Sequence, residues 1–349
     1  MRTARMTRRS YAWFLERFRR SNRKCGAKDR VRGRWLAGVY HEPRSSSFMI
    51  LGQRDLQYRL YLPPEIRKSE RLPLLLMLHG CTQTAVDFAE GTRMNTMAED
   101  RRCVVLYPEQ AINANLLRCW NWFDPETLAG RGEAALLERT VHDVMDRYPI
   151  DPARVYVAGL SAGGAMAAVM CATHADLFAA GAIHSGVMFH AAATPLQAAE
   201  VMRSGTAALN QIVQSILSER GSGARLVPTL IIHGAADETV NPLNAEQIIE
   251  QTRLLAQRLR ARSAPPALGE ERWTESGGRR YRQQDLTQDG EFLLRSILIE
   301  GLGHAWSGGD ARHPYFDPAG PSASRLIIEF LLTRRLPANL VSRTAPAPA

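Results

Sequence analysis

The 349-residue sequence predicts an α/β protein with a mostly parallel central sheet and helices on both of its faces. Three observations predict it. Short apolar runs recur along the chain, each stopped by glycine or proline, as strands buried on both faces would be. Stretches of helical periodicity alternate with them, the pattern of strand–helix–strand units. One run also meets an alanine-rich helical stretch through Gly159-Leu160-Ser161-Ala162-Gly163.

In chain order, residues 35–54 read as irregular. Residues 56–63 alternate and read as a strand ended by Pro63-Pro64, and 72–80 and 103–109 read as buried strands. Residues 133–147 carry helical periodicity. Residues 154–159 read as a further strand, with a small-residue helix over 162–173. Two more strands are expected at 179–186 and 228–234, a long helix at 243–260, a late strand at 292–301 and a closing helix at 322–335. The helical stretch 187–227 lies between two core strands and reads as an insertion over the C-terminal edge of the sheet, a possible cap. Residues 262–281 form a polar excursion, a surface loop or hairpin, and 338–349 have a disordered-type composition. The expected organisation is a basic tail over 1–34, one α/β domain over 35–337 and a C-terminal tail over 338–349.

The formal charge of +9 is unevenly placed. Residues 1–34 hold 13 Lys and Arg against Glu16 and Asp29, which leaves 31 basic and 33 acidic residues beyond them. The body is thus nearly neutral, which speaks against a nucleic-acid-binding surface. Tyr11, Phe14, Leu15 and Phe18 fall on one helical face among arginines, the pattern of a basic amphipathic helix suited to an anionic or lipid-like surface. No apolar core of a secretory signal follows the basic start, so a cytoplasmic location is the expectation. The five cysteines show no zinc spacing and are too few and too odd for a disulfide scaffold.

The glycines at the 159–163 seam have a steric purpose. A strand that turns at once into a helix forces the central serine into a strained backbone, and side chains at Gly159 and Gly163 would strike neighbouring backbone. Ser161 is therefore the candidate nucleophile. A serine hydroxyl needs a base, and the base needs an acid to orient it, in the chain order Ser, acid, His. Of nine histidines, His304 lies just past the last strand on a glycine-flanked loop, whereas His313 sits in a polar segment. Asp237 follows a strand-ending glycine, with Glu238 as its nearest rival. The backbone N–H groups of Ala162 and Cys81 are the candidate oxyanion donors.

The segments LHGCTQTAVDFA, CWNWF (119–123), GLSAGGAM, HGAADETVNP and GLGHAWSGG together resemble the poly(3-hydroxybutyrate) depolymerase-type esterases, relatives of feruloyl and acetylxylan esterases, over roughly residues 50–335. The resemblance implies an α/β-hydrolase fold and ester hydrolysis through an acyl-enzyme, without metal or cofactor. Ser161, Asp237 and His304 match the triad positions of that family. It also implies that Trp120, Asn121 and Trp306 line the substrate pocket and that Cys81 and Cys119 can pair as a disulfide. Members of the family are often secreted and often carry a linker and a substrate-binding domain, neither of which is legible here. Soluble oligomers of 3-hydroxybutyrate, short-chain esters or an intracellular polymer surface are the expected substrates, with residues 1–34 as a contact to a polymer granule or anionic surface. Aromatic or acetyl esters of plant polysaccharide are the alternative, and a non-catalytic coat protein of lipid-like granules is the reading from another class.

Overall fold

The computed structural model describes residues 31–42, 55–221 and 224–344. The described elements belong to one compact unit that begins at Gly33. The basic amphipathic segment expected within residues 1–30 lies outside the described residues.

The strands of the main sheet, in chain order, are β1 (Arg34–His41), β2 (Asp55–Leu62), β3 (Leu72–Leu78), β4 (Val104–Glu109), β5 (Ile150–Leu160), β6 (Ala180–His184), β7 (Thr229–Gly234), β8 (Ala267–Leu268), β9 (Arg272–Ser276), β10 (Arg279–Gln288) and β11 (Glu291–Ile299). They form one eleven-stranded sheet in the order β1-β2-β4-β3-β5-β6-β7-β11-β10-β8, with β9 paired to β10. The six strands from β4 to β11 in that order are parallel. Antiparallel strands flank them on both sides.

The parallel centre follows from the sequence. Every residue of β3, β6 and β7 is buried, as strands covered on both faces require. Each fully buried Leu, Ile or Val removes enough apolar surface from water to contribute roughly 1.5–3 kcal/mol. The helices Gly132–Arg147, Ala162–Thr173, Leu243–Leu259 and Ala323–Leu332 pack on the sheet through their apolar faces. Ala162–Thr173 is buried almost all round, which its small residues permit.

Two expectations are corrected, at residues 34–41 and 338–344, and one is made definite. Residues 34–41 are a strand, not an irregular segment. Residues 338–344, expected as part of a disordered tail, form a short helix, preceded by Leu336, whose N–H donates to the Ala153 carbonyl. The polar excursion resolves into the hairpin of β9 and β10. The stretch 187–227 carries two helices, Pro195–Ser204 and Leu209–Arg220. The first is tied to the loop after β7: the Asn241 N–H and the Asn244 side-chain amide donate to the Met202 carbonyl, and the Asn244 amide also reaches the Val201 carbonyl.

Candidate active site

Three parallel strands end beneath one point. β5 delivers Ser161, β7 delivers Asp237 through a short loop, and β11 delivers His304. Ser161 adopts φ +58° and ψ −121°, a left-handed, strained backbone for a serine. Close approach explains the flanking glycines. A Cβ on Gly159 would lie 2.2 Å from the Gly163 carbonyl oxygen, and one on Gly163 would lie 2.0 Å from the Leu78 oxygen. The Ser161 N–H is fixed by the His184 carbonyl at 2.9 Å.

The Ser161 hydroxyl lies 3.0 Å from His304 Nε2, and His304 Nδ1 lies 2.8 Å from Asp237 Oδ2. The carboxylate can only accept, so Nδ1 carries the proton and Nε2 is left to accept from the hydroxyl. The other oxygen of Asp237 accepts the N–H groups of Thr239 at 3.0 Å and Val240 at 2.8 Å. Burial alone would raise the Asp237 carboxyl, but the His304 hydrogen bond and charge, with the Val240 N–H, hold it below its ordinary value. Its rival Glu238 is exposed to solvent. His313 faces elsewhere, with Nε2 3.3 Å from Glu90 and Nδ1 3.7 Å from Asp87.

The N–H of Ala162 opens the helix that follows Ser161, and the N–H of Cys81 lies on the loop after β3. Neither donates to a protein acceptor among the described residues. Cys81 and Cys119 are joined by a disulfide. A second tie fixes the same two loops together, since the Thr82 N–H donates to the Leu117 carbonyl at 2.6 Å.

The residues expected to line the substrate pocket are placed differently. Trp306 is fully buried, stacked on His184 at 5.0 Å and edge-on to Phe88, and its indole N–H donates to Ser324. Trp120 is also buried, against the His79 ring at 5.4 Å. Asn121 turns its amide inward, donating to buried Glu133 at 2.6 Å and accepting from Asn115 at 2.9 Å. None of the three offers a substrate a free wall; large indoles are more stable packed than wet, and a buried carboxylate needs donors. Tyr315 was not anticipated. Its ring stands edge-on to His304 at 6.3 Å, and it is 46% exposed. Its only sequence signal is an aromatic pair, Tyr315-Phe316, shortly after the candidate base.

A parallel sheet that carries a strained serine, an imidazole and a buried carboxylate at its strand ends defines a serine hydrolase of the α/β class. The family model described as Esterase PHB depolymerase matches residues 56–274, and the chain belongs to that family of carboxylic ester hydrolases. Among curated relatives, poly(3-hydroxyalkanoate) depolymerase C of Paucimonas lemoignei is 36% identical over 184 residues, 51% of this chain and 44% of the relative. Feruloyl esterase B of Thermothelomyces thermophilus is 31% identical over 208 residues, 56% of this chain and 69% of the relative. The match thus spans less than half the length of the depolymerase. Among solved structures, the acetyl xylan esterase from Aspergillus awamori superposes with a TM-score of 0.59 at 22% identity, over 71% of this chain and 89% of that one. An S-formylglutathione hydrolase from Agrobacterium tumefaciens gives 0.51 at 15% identity, over 87% and 96%.

Proposed function

We propose that the chain hydrolyses esters through an acyl-enzyme on Ser161, with His304 as base, Asp237 as its orienter and the Cys81 and Ala162 N–H groups as oxyanion donors. The observation that supports this is the unbroken hydrogen-bonded line from Ser161 Oγ through His304 to Asp237. His304 Nε2 takes the hydroxyl proton as Ser161 Oγ bonds to the ester carbonyl carbon. The carbonyl oxygen gains the electron pair and is held by the two N–H groups, each of which can contribute roughly 3–4 kcal/mol to lowering the barrier. The C–O bond to the alcohol breaks, and the alcohol leaves with the proton from His304. Water then gives its proton to His304, attacks the acyl carbon and releases the acid, and Ser161 recovers its proton. Asp237 keeps the imidazole in one tautomer and stabilises its cation.

For the substrate we propose an apolar polyester or its oligomers, of the 3-hydroxybutyrate type. Ile112, Leu116 and Leu117 are 56%, 85% and 61% exposed on the loop bridged to the oxyanion strand end. Three exposed aliphatic residues on a loop tied to the proposed oxyanion loop suit a water-repelling surface better than a hydrated sugar chain. Contact through residues 1–34 and capping by 187–227 belong to the same reading. The second reading is a feruloyl or acetyl esterase of polysaccharide, which the feruloyl esterase relative supports.

A hydrolysis panel separates the readings. Purified protein is given p-nitrophenyl butyrate, 3-hydroxybutyrate oligomers, amorphous polymer and methyl ferulate. Release of 3-hydroxybutyrate, lowered on polymer when residues 1–34 are removed, is the expected outcome. Ferulate release without it would move the chain to the second reading.

A further inference from the structure

Beyond the triad, three histidines are buried at the ends of three strands of the same parallel sheet. His79 follows β3, His184 ends β6, and His233 is the penultimate residue of β7. All three are fully buried, and none takes part in the proton path proposed above. Each ring is hydrogen-bonded to the backbone of a different active-site loop.

His79 Nδ1 lies 2.7 Å from the Gly80 carbonyl, and the N–H of Gln110 donates to its Nε2 at 3.1 Å. A donor at Nε2 leaves the proton on Nδ1, so the ring is neutral and Nδ1–H donates to Gly80. The Gly80 carbonyl and the Cys81 N–H belong to one planar peptide and point in opposite directions. Holding that carbonyl toward the core therefore turns the Cys81 N–H the other way, as an oxyanion donor must be turned.

His184 serves two loops. Its carbonyl accepts the Ser161 N–H, and its Nε2 accepts the Ser307 N–H at 3.4 Å, while Nδ1 lies 3.2 Å from the Ser185 hydroxyl. The ring is again neutral with its proton on Nδ1, and it also stacks on Trp306. Trp306 and Ser307 follow His304 closely, so this imidazole fixes the loop of the base. His233 Nε2 lies 2.8 Å from the Val240 carbonyl, which closes the loop that begins at Asp237. A carbonyl partner requires Nε2–H. Its Nδ1 is buried without a partner among the described residues, so a second proton there would have no acceptor.

We propose that His79, His184 and His233 are a set of neutral positioning residues, one for the oxyanion loop, one for the base loop and one for the acid loop. The proposal rests on the site assigned above. Desolvation supports the neutral state at each ring: it pushes His79 down to about 4 and His184 to about 3, and it also lowers His233. The charged groups nearest them are Arg118 and Asp87 for His79, His233, His304 and Asp237 for His184, and Asp237 and His304 for His233.

Two-bond proton–nitrogen spectra of the full chain labelled with 15N-histidine read the tautomers directly, with single His variants giving the assignments. His79 and His184 should show neutral Nδ1–H rings, and His233 a neutral Nε2–H ring, unchanged from pH 8 to about pH 5. A doubly protonated ring at pH 6, or an opposite tautomer, overturns the proposal for that residue. Kinetics on p-nitrophenyl butyrate supply the second arm. His79→Leu, His184→Leu and His233→Leu should each lower kcat by about tenfold or more with KM little changed. His79→Asn, His184→Gln and His233→Gln each return a polar group to the required place and should recover much of that loss. Leucine variants with wild-type kcat would reduce the rings to packing and overturn the proposal. Where a leucine variant does not fold, the wild-type tautomer decides. A wild-type chain that turns over no ester would sink the proposed function and leave the tautomer result standing by itself.

Discussion

Asp237 and Glu238 are adjacent carboxylates, and only one of them reaches the imidazole. Asp237 is buried, takes two backbone N–H groups on one oxygen and His304 on the other, whereas Glu238 points to water. Order along the chain, the strand-ending glycine and the family resemblance favour Asp237 over its neighbour, and the turn at 237–240 supplies the physical reason, which no spacing shows. Asp237→Asn should keep the fold and lower kcat by about 10³–10⁴, because an amide can hold the ring in the wrong tautomer. Glu238→Gln should stay within about twofold, since exposed surface substitutions rarely reach beyond their own contacts. Steady-state kinetics on p-nitrophenyl butyrate check both, and a larger loss at Glu238 than at Asp237 would reverse the assignment. The aromatic residues were misjudged for a related reason. Sequence shows that Trp120 and Trp306 lie near the site, but not on which side of the loop their rings fall. Burial draws such rings inward, and the more exposed Tyr315 is left beside His304.

At the scale of the elements, the central strands were legible because both faces are covered and the sequence shows it as unbroken apolar runs. The edge was not. β1 carries Gly38, over whose Cα the Tyr58 ring lies so closely that an added Cβ would meet it at 2.3 Å. A glycine and half-exposed positions erase the alternation that marks a strand, and only pairing with β2 defines it. The helix Ala85–Thr92 was passed over as well, although Thr84 and Asp87 form a capping box at its start. That helix begins where the oxyanion loop ends, and the loop is held from the other side by the Cys81–Cys119 bridge. The bridge closes a segment with a sequence separation of 38, worth about 4 kcal/mol in the chain-entropy account. Reduction of the folded protein should lower Tm by several degrees and kcat by about tenfold, as the Cys81 N–H loses its fixed direction. Cys81→Ser with Cys119→Ser should behave alike. Melting curves and initial rates with and without a phosphine reductant test this, and unchanged rates would show that the Thr82–Leu117 bond suffices.

Across the whole molecule, the buried histidines set an acid limit on stability. Above pH about 6.5 they are neutral in both folded and unfolded chains, and their contribution is fully present. As the pH falls through that value the unfolded chain takes up protons that the native rings refuse, down to about 4 at His79 and about 3 at His184. Stability therefore falls with pH across this window, by about 2 kcal/mol at pH 5 for each of His79 and His184, and His233 acts in the same direction. The Asp237 and Asp310 carboxyls, held low by His304 and by Arg312, act in the same direction at lower pH, because the unfolded carboxyl protonates first. Tm should drop by about 5–10 °C from pH 7 to pH 5, and a flat or rising Tm would contradict neutral buried rings. The fold class was legible from alternating apolar runs, and the candidate nucleophile from one pentapeptide set between a strand and a helix; the set of buried histidines was not, because a buried imidazole and a reactive one look alike until their partners are known. The proposed mechanism requires that Ser161 carry the acyl group. Its most direct test is to treat the protein with an aryl phosphonate, measure intact mass and map the modified peptide. One adduct per chain on Ser161, with hydrolysis of p-nitrophenyl butyrate lost in proportion, is the predicted result. Adducts on another residue, or full activity with Ser161 occupied, would contradict it.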